Sequence, residues 1–147
     1  MTLPLALRFF HILSAALWMG SGLFWPGSLR RALALGPPHP APAFAQARVG
    51  LGLDLGAGVA AVVTGLLYAS PLGGVTMRAG ILVGFLLALG RLGLLVALAR
   101  PALRRAADAL AKGDLEAARV ASKKLPAYSG SAHLLWLAAL VAMVFPI

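Results

Sequence analysis

The chain has 147 residues, 61% of them hydrophobic, and a mean hydropathy of +0.90. This composition leaves no room for a separate soluble domain, and the absence of cysteine excludes disulfides, thiolate metal sites and thiol catalysis. A net charge of +9 would suggest a nucleic-acid partner for a soluble protein. Here the basic residues flank apolar segments, so we expect a lipid bilayer and no nucleic acid as the partner.

Four apolar stretches follow one another along the chain, at residues 3–25, 49–70, 79–99 and 128–147. A helix needs about 20 residues to cross the hydrocarbon core of a bilayer, and each stretch reaches or approaches that length. Because the first stretch ends in Phe24-Trp25-Pro26 and not in small residues, we expect a retained span and not a cleaved signal peptide. The sequence therefore predicts an all-α protein, in which residues 1–147 form a single transmembrane domain, a four-helix membrane bundle.

Most basic residues lie on two of the three loops between these spans. The loops at residues 26–48, 71–78 and 100–127 contain three, one and seven lysines and arginines. In a four-span protein the first and third loops share one side of the membrane, and the positive-inside rule assigns that side to the cytoplasm. We therefore expect both termini outside, in a multi-pass protein of the bacterial inner (plasma) membrane. Anionic lipid headgroups are the expected partners of the cytoplasmic loops.

The two basic loops differ in composition. The first contains Gly36-Pro37-Pro38-His39-Pro40-Ala41-Pro42, whose proline density predicts an extended, polyproline-like segment. In the third loop, helix-forming residues run from 102 to 112, Gly113 interrupts them, and Asp114 is placed to cap a second helix over 115–124. We therefore expect a helical cytoplasmic loop between the third and fourth spans. An amphipathic helix lying in the membrane interface is the alternative.

Small residues recur every four positions in the second span, at Gly52, Gly56, Ala60 and Thr64. Such a ridge lets helix backbones approach closely in lipid, so we expect it to pack against another helix of the bundle. A ridge left exposed would recruit helices from elsewhere, which keeps a homo-oligomer or a membrane partner open.

Three ionisable side chains lie in the inner half of the spans. Asp54, Arg91 and His133 fall at similar depth when both termini are outside. An ion pair between Asp54 and Arg91 would relieve the cost of burying either charge, with His133 beside it. This buried charge cluster has a structural interpretation, in which the pair locks spans two and three, and a functional one, a proton or ion path.

A second group lies in the outer half. Arg8 and His11 are three residues apart and therefore share one face of the first helix. Met77 and Met143 lie at similar depth, and imidazole and thioether groups are the ligands that Cu(I) prefers. The pattern predicts a copper site at His11, Met77 and Met143, although methionine also fills gaps in cores. Axial ligation of haem b by His11, with Arg8 nearby, is the alternative. His133 lies about 15 Å away along the membrane normal and is excluded as the second haem ligand.

The segment Phe10-His11-Ile12-Leu13-Ser14-Ala15-Ala16-Leu17-Trp18-Met19-Gly20 contains a His followed seven residues later by Trp and then by Gly. This pattern resembles the first helix of the copper-resistance D family. It is also similar, more weakly, to the small membrane protoporphyrinogen oxidases of bacterial haem synthesis. The resemblance implies copper handling in the first case and a b-haem-bearing oxidoreductase in the second, with His11 as the residue carried over in both.

The chain departs from both families at the start of the third span. The families often have a Lys there, whereas this chain has Arg78, and the two residues are not interchangeable in proton chemistry. This difference disfavours the oxidase. We therefore expect a protein that handles copper across or within the membrane. A b-haem membrane redox protein and a non-catalytic membrane subunit or assembly partner remain the alternatives.

Overall fold

The computed structural model describes residues 2–145, and this part of the chain contains helices and turns but no strand. The prediction of an all-α protein is thus confirmed. Seven α-helices follow in order: α1 (Leu3–Ser21), α2 (Trp25–Leu35), α3 (Pro40–Tyr68), α4 (Ala79–Leu94), α5 (Arg100–Ala111), α6 (Leu115–Ser122) and α7 (Leu125–Val144). A π-helical segment, Leu95–Ala99, joins α4 to α5 without a break.

These helices combine into four units, each long and apolar enough to cross a membrane. The units are Leu3–Leu35, Pro40–Tyr68, Ala79–Ala111 and Leu115–Val144. The prediction of four such helices is confirmed, although residues 146–147 of the predicted fourth span lie outside the described part of the chain. At about 1.5 Å per residue, the longest units exceed the ~30 Å of a hydrocarbon core by roughly 20 Å.

The helical residues in excess of a bilayer's thickness lie at one end of the bundle. There α2 packs against the first turns of α3 and against α6, and α6 packs against α5. We call this the basic end, because the loops predicted to be cytoplasmic hold 10 of the 13 lysines and arginines. The opposite end, which we call the outer end, consists of the start of α1, the end of α3, the loop at 69–78, the start of α4 and the end of α7.

The proline-rich loop is helical apart from one turn, so the prediction of an extended segment is wrong. Only residues 36–39 separate α2 from α3. Pro40 and Pro42 occupy the first turn of α3, where a backbone N–H has no partner within the helix and its absence costs little. Gly36 adopts a φ of 75°, a value that favours glycine, and reverses the chain between the two helices.

The segment between the predicted third and fourth spans is a helical hairpin of α5 and α6, as the sequence predicts. Gly113 forms the turn between α5 and α6 with a φ of 77°. Asp114 caps α6, its Oδ1 accepting from the backbone N–H of Ala117 at 2.8 Å. From α6, the Arg119 Nε donates to the Leu33 carbonyl at 3.0 Å and satisfies an acceptor at the end of α2.

The third unit changes helix type just before Pro101, at Leu95–Ala99. A proline ring clashes with the carbonyl four residues earlier in an α-helix, and a π turn changes the local spacing where this clash would occur. The π turn also maintains one buried face. Positions four apart drift by about 40° around an α-helix, and a wider turn reduces that drift. One row of buried positions four residues apart runs through this segment, and Ala102 and Ala106 widen the buried face after it. The row consists of Arg91, Leu95, Ala99, Leu103 and Ala107.

The larger hydrophobic core lies at the basic end and not in the middle of the bundle. Its members come from α2, the start of α3, the π segment, α5, α6 and the start of α7. Trp25 is buried in it. A smaller cluster around Trp18, Ala61 and Ala88 occupies the middle of the bundle.

The glycines that pack α3 are not those of the predicted ridge. A Cβ atom on Gly52 or Gly56 would meet nothing within 4 Å, so the prediction that these two pack inside the bundle is wrong. Three other glycines of α3 each lie under a ring. A Cβ on Gly50 would be 2.7 Å from Trp25 Cδ1, one on Gly58 2.6 Å from Trp18 Cε2, and one on Gly65 2.9 Å from His11 Cε1. The large rings of the first unit therefore select the face on which α3 packs.

Candidate functional site

A cavity of about 490 Å³, which we call the outer cavity, lies among the four units toward the outer end. Its walls come from α1, α3, α4, α7 and the loop that precedes α4. Most of the lining is apolar, including the rings of Trp18, Phe85 and Trp136. His11, Met77 and Met143 all line this cavity. The structure thus brings the three residues of the predicted copper site to one space.

The His11 ring has a defined orientation. Its Nδ1 lies 2.9 Å from the Ala61 carbonyl, which can only accept, so Nδ1 carries the proton and donates. Thr64 lies 3.4 Å from the same nitrogen and gives its own proton to the Ala60 carbonyl at 2.6 Å. The ring sits on Gly65, where any Cβ would collide with it. Within residues 2–145 no group forms a hydrogen bond with His11 Nε2, and the lone pair of this nitrogen is therefore available to a ligand.

The two methionines reach the cavity from different parts of the chain. Met77 lies just before α4 and is 48% exposed. Met143 comes from α7 and packs on Gly84 of α4, where a Cβ would be 2.5 Å from its Cγ. Within the described chain no cluster of three or more His, Asp or Glu residues is placed to hold a metal ion. A metal in this cavity would therefore depend on the two thioethers together with the imidazole.

The two arginines near the outer end are placed differently. The spacing of Arg8 and His11 predicts that they share one helix face. In the structure Arg8 is exposed and does not line the outer cavity. Arg78 does line the cavity, with Tyr68. Among the residues that the structure describes, Arg78 is the only charged side chain of this lining.

A separate polar cluster lies between the core of the basic end and the Trp18 cluster. It forms where α1 ends and the chain bends through residues 22–24, leaving the last carbonyls of α1 without donors from their own helix. Side chains of α4 and α7 form hydrogen bonds with these carbonyls. Arg91 Nη2 donates to the Trp18 carbonyl at 2.9 Å, Ser129 Oγ donates to the Gly22 carbonyl at 2.9 Å, and His133 Nε2 lies 3.1 Å from the Met19 carbonyl.

The centre of this cluster is the ion pair between Asp54 and Arg91. Arg91 Nη2 lies 2.7 Å from Asp54 Oδ1, and the two side chains are 0% and 2% exposed, arginine first. The guanidinium carbon also lies 4.5 Å from the centre of the Trp18 ring. A Cβ on Gly22 would be 2.6 Å from Asp54 Oδ2 and 3.1 Å from His133 Cε1, so carboxylate and imidazole approach each other beside Gly22.

The polar cluster links all four units through a neutralised pair of charges. Sequence reasoning brought together Asp54, Arg91 and His133 but missed Ser129 and the carbonyls of α1. The signal for the helix break was present in the sequence as the Gly20-Ser21-Gly22 run. A break frees backbone acceptors, and polar side chains of neighbouring helices satisfy such groups in a membrane protein.

The outer cavity and the polar cluster are distinct sites separated by Trp18. This residue lines the cavity, and its carbonyl and ring contact Arg91 on the cluster side. His133 does not line the cavity, and its ring nitrogens lie 2.7 Å from the Ser129 carbonyl and 3.1 Å from the Met19 carbonyl. His11 and His133 therefore belong to separate sites.

Comparisons of the chain with protein-family models, with curated proteins and with solved structures give no match.

Proposed function

We propose that this is a multi-pass protein of the bacterial inner membrane that handles copper across or within the membrane. In this proposal the outer cavity binds Cu(I) through His11, Met77 and Met143. The observation that supports it is their position: three soft or borderline ligands, from α1, from the loop before α4 and from α7, line one cavity. Thioether and imidazole groups form Cu(I) sites without any cysteine.

The orientation of His11 supports ligation by Nε2. Metal-binding histidines usually donate the other ring N–H to a carbonyl or carboxylate, and loss of such a partner typically lowers metal affinity 10–100-fold. The contact from His11 Nδ1 to the Ala61 carbonyl at 2.9 Å is of this kind. It directs the unprotonated nitrogen of the ring toward a ligand.

The charge distribution supports an arrangement with both termini outside. The loops predicted to be cytoplasmic hold 10 of the 13 lysines and arginines, whereas the loop at 69–78 holds only Arg78. By the positive-inside rule the basic end faces the cytoplasm. The outer cavity then lies on the side where a copper ion arriving from outside would first meet the protein.

Binding of haem b is the second candidate, and the size of the cavity favours it. A volume of about 490 Å³ is far larger than a single ion requires and lies in the range of small-molecule and cofactor sites. Its mostly apolar lining suits a porphyrin, and His11 Nε2 would serve as an axial ligand. Arg78 would supply a cation for a carboxylate of the ligand. Haem would supply redox chemistry, while the chain would hold the porphyrin and exclude water.

Metal content and the visible spectrum of the purified protein test both candidates. We expect one Cu(I) ion per chain in the wild type and in His39→Ala, a matched control that replaces a histidine outside the outer cavity. His11→Ala should lose the copper, and Met77→Leu or Met143→Leu should weaken its binding. A Soret band that disappears in His11→Ala would instead establish haem. Wild-type protein with neither copper nor a Soret band would refute both candidates.

That last result would favour a non-catalytic membrane subunit or assembly partner. The exposed ridge at Gly52 and Gly56 supports this third possibility, because nothing in the described chain covers it. Cross-linking through cysteines introduced at these two positions would then show whether a second helix, from a homo-oligomer or another protein, lies on the ridge.

A further inference from the structure

A second pocket lies at the basic end, between α2 and the first turns of α3. We call it the basic groove. Its volume is about 490 Å³. Four of its lining residues carry polar side chains, Ser28, Arg31, His39 and Gln46, and the rest are small or apolar. The groove and the outer cavity share no residue, so the groove requires its own interpretation.

The groove contains donors and no carboxylate. Arg31 presents up to five N–H groups, and hydroxyl, amide and imidazole groups also donate. Within residues 2–145 Arg31 forms no ion pair, and Asp108, the acidic residue of α5 at this end, does not line the groove. Asp114 caps α6, and Glu116 pairs with Arg119 at 3.3 Å. The Arg31 guanidinium lies among neutral hydrogen-bond donors and has no counterion within the protein. Such a group suits an external anion that carries several oxygens.

The position of the groove along the bundle indicates which kind of anion it would bind. α1 contains 19 residues and therefore measures about 28 Å, close to the ~30 Å of a hydrocarbon core. α2 begins four residues later and so lies at the level of the lipid headgroups of the basic end. The groove between α2 and α3 thus opens at the depth where phosphate groups are concentrated. Basic pockets between helices at this depth commonly bind lipid headgroups.

We propose that the basic groove is a binding site for a phosphate group, with Arg31 as its principal ligand and Ser28, His39 and Gln46 as neutral donors. The phosphate is either that of an anionic phospholipid headgroup or that of a small phosphorylated solute. The site is independent of the outer cavity and of any metal bound there.

Two adjacent arginines provide a matched test. Arg30 and Arg31 have the same charge and are both exposed, but only Arg31 lines the groove. The full chain, purified in detergent, is titrated with phosphatidylglycerol and with phosphatidylcholine, and lipid binding is measured by native mass spectrometry. We expect wild type and Arg30→Gln to retain phosphatidylglycerol, and Arg31→Gln to bind it about tenfold more weakly, as for the loss of one charge-assisted contact. Circular dichroism verifies that both variants keep the wild-type helix content.

A second arm uses millimolar inorganic phosphate and pyrophosphate without lipid, with the melting temperature as the measurement. If these anions raise the melting temperature of wild type and Arg30→Gln but not of Arg31→Gln, the ligand is a free phosphorylated solute. If only phosphatidylglycerol distinguishes the variants, the ligand is a headgroup. Equal losses in the two variants would show a diffuse surface charge and overturn the proposal, as would the absence of binding in both arms.

Discussion

Removing either member of the Asp54–Arg91 pair should destabilise the bundle far more than the loss of one contact suggests. Asp54→Leu would leave Arg91 charged and buried, with only the Trp18 carbonyl and ring as partners. Arg91→Met would leave the carboxylate of Asp54 buried without its counterion. The double variant removes both charges together and leaves neither one unpaired.

Both side chains are almost fully buried, so solvent cannot compensate for a lost partner. Breaking a buried pair by removing one partner typically costs about 3–5 kcal/mol, whereas replacing both partners by apolar residues is often close to neutral. The larger loss is expected for Arg91→Met, because this change also removes the hydrogen bond from Arg91 to the Trp18 carbonyl, which then keeps only the Ser21 hydroxyl, at 3.2 Å, as a side-chain donor. The two single losses sum to about 6–10 kcal/mol, so a double variant close to neutral would be less destabilised than that sum by at least about 6 kcal/mol.

Reversible unfolding in mixed micelles, with a denaturing detergent as the variable, would measure the three free energies of unfolding. The exposed pair Glu116–Arg119 supplies a control cycle, with side chains 75% and 42% exposed and a separation of 3.3 Å. Its coupling should not exceed about 0.5 kcal/mol. Additive effects at Asp54 and Arg91, within the error of that control, would refute the argument that the buried pair holds the units together.

Three further predictions concern other parts of the molecule. A C-terminal reporter that is active only in the cytoplasm should remain silent, and strong activity would move the outer cavity to the cytoplasmic side. Gly58→Ala should lower the free energy of unfolding by about 1–3 kcal/mol, because its Cβ would overlap the Trp18 ring. Gly56→Ala should be neutral or slightly stabilising, and equal losses in the two variants would contradict this packing. Arg119→Met should speed amide hydrogen exchange at the end of α2, by freeing the Leu33 carbonyl, and leave α7 unchanged; uniform exchange would show that this cap is unimportant.

Length and hydropathy were sufficient to predict the four long helices, because a span must be about 20 apolar residues whatever it packs against. The hairpin of α5 and α6 could be predicted as well, since Gly113 and Asp114 act through local backbone geometry. The proline-rich loop was predicted wrongly for a local reason too. Proline opposes the interior of a helix but is favoured in its first turn, and the pattern did not show where α3 begins.

The sequence predicted how deep in the membrane the site residues would lie. It did not predict which helix faces would meet. Counting residues along the spans placed Asp54 and Arg91 at one level, and the ion pair in the structure joins them. It did not show which face of α3 would meet the first unit. The choice among the glycines of α3 depends on where the Trp18 and Trp25 rings lie, which is a property of the assembled bundle. For the same reason Ser129 could not be recognised as a partner of the Gly22 carbonyl.

The position of the main core has a consequence for how the bundle is held together on either side of the polar cluster. Leucines such as Leu29, Leu33 and Leu103 are buried where the units extend past the length of a bilayer. With this end in the cytoplasm, as proposed, water drives their association, whereas lipid gives apolar helices no comparable reason to associate. The heat-capacity change of unfolding should therefore arise mostly from the basic end. The units should therefore be held less tightly at the outer end, where the outer cavity lies, than at the basic end.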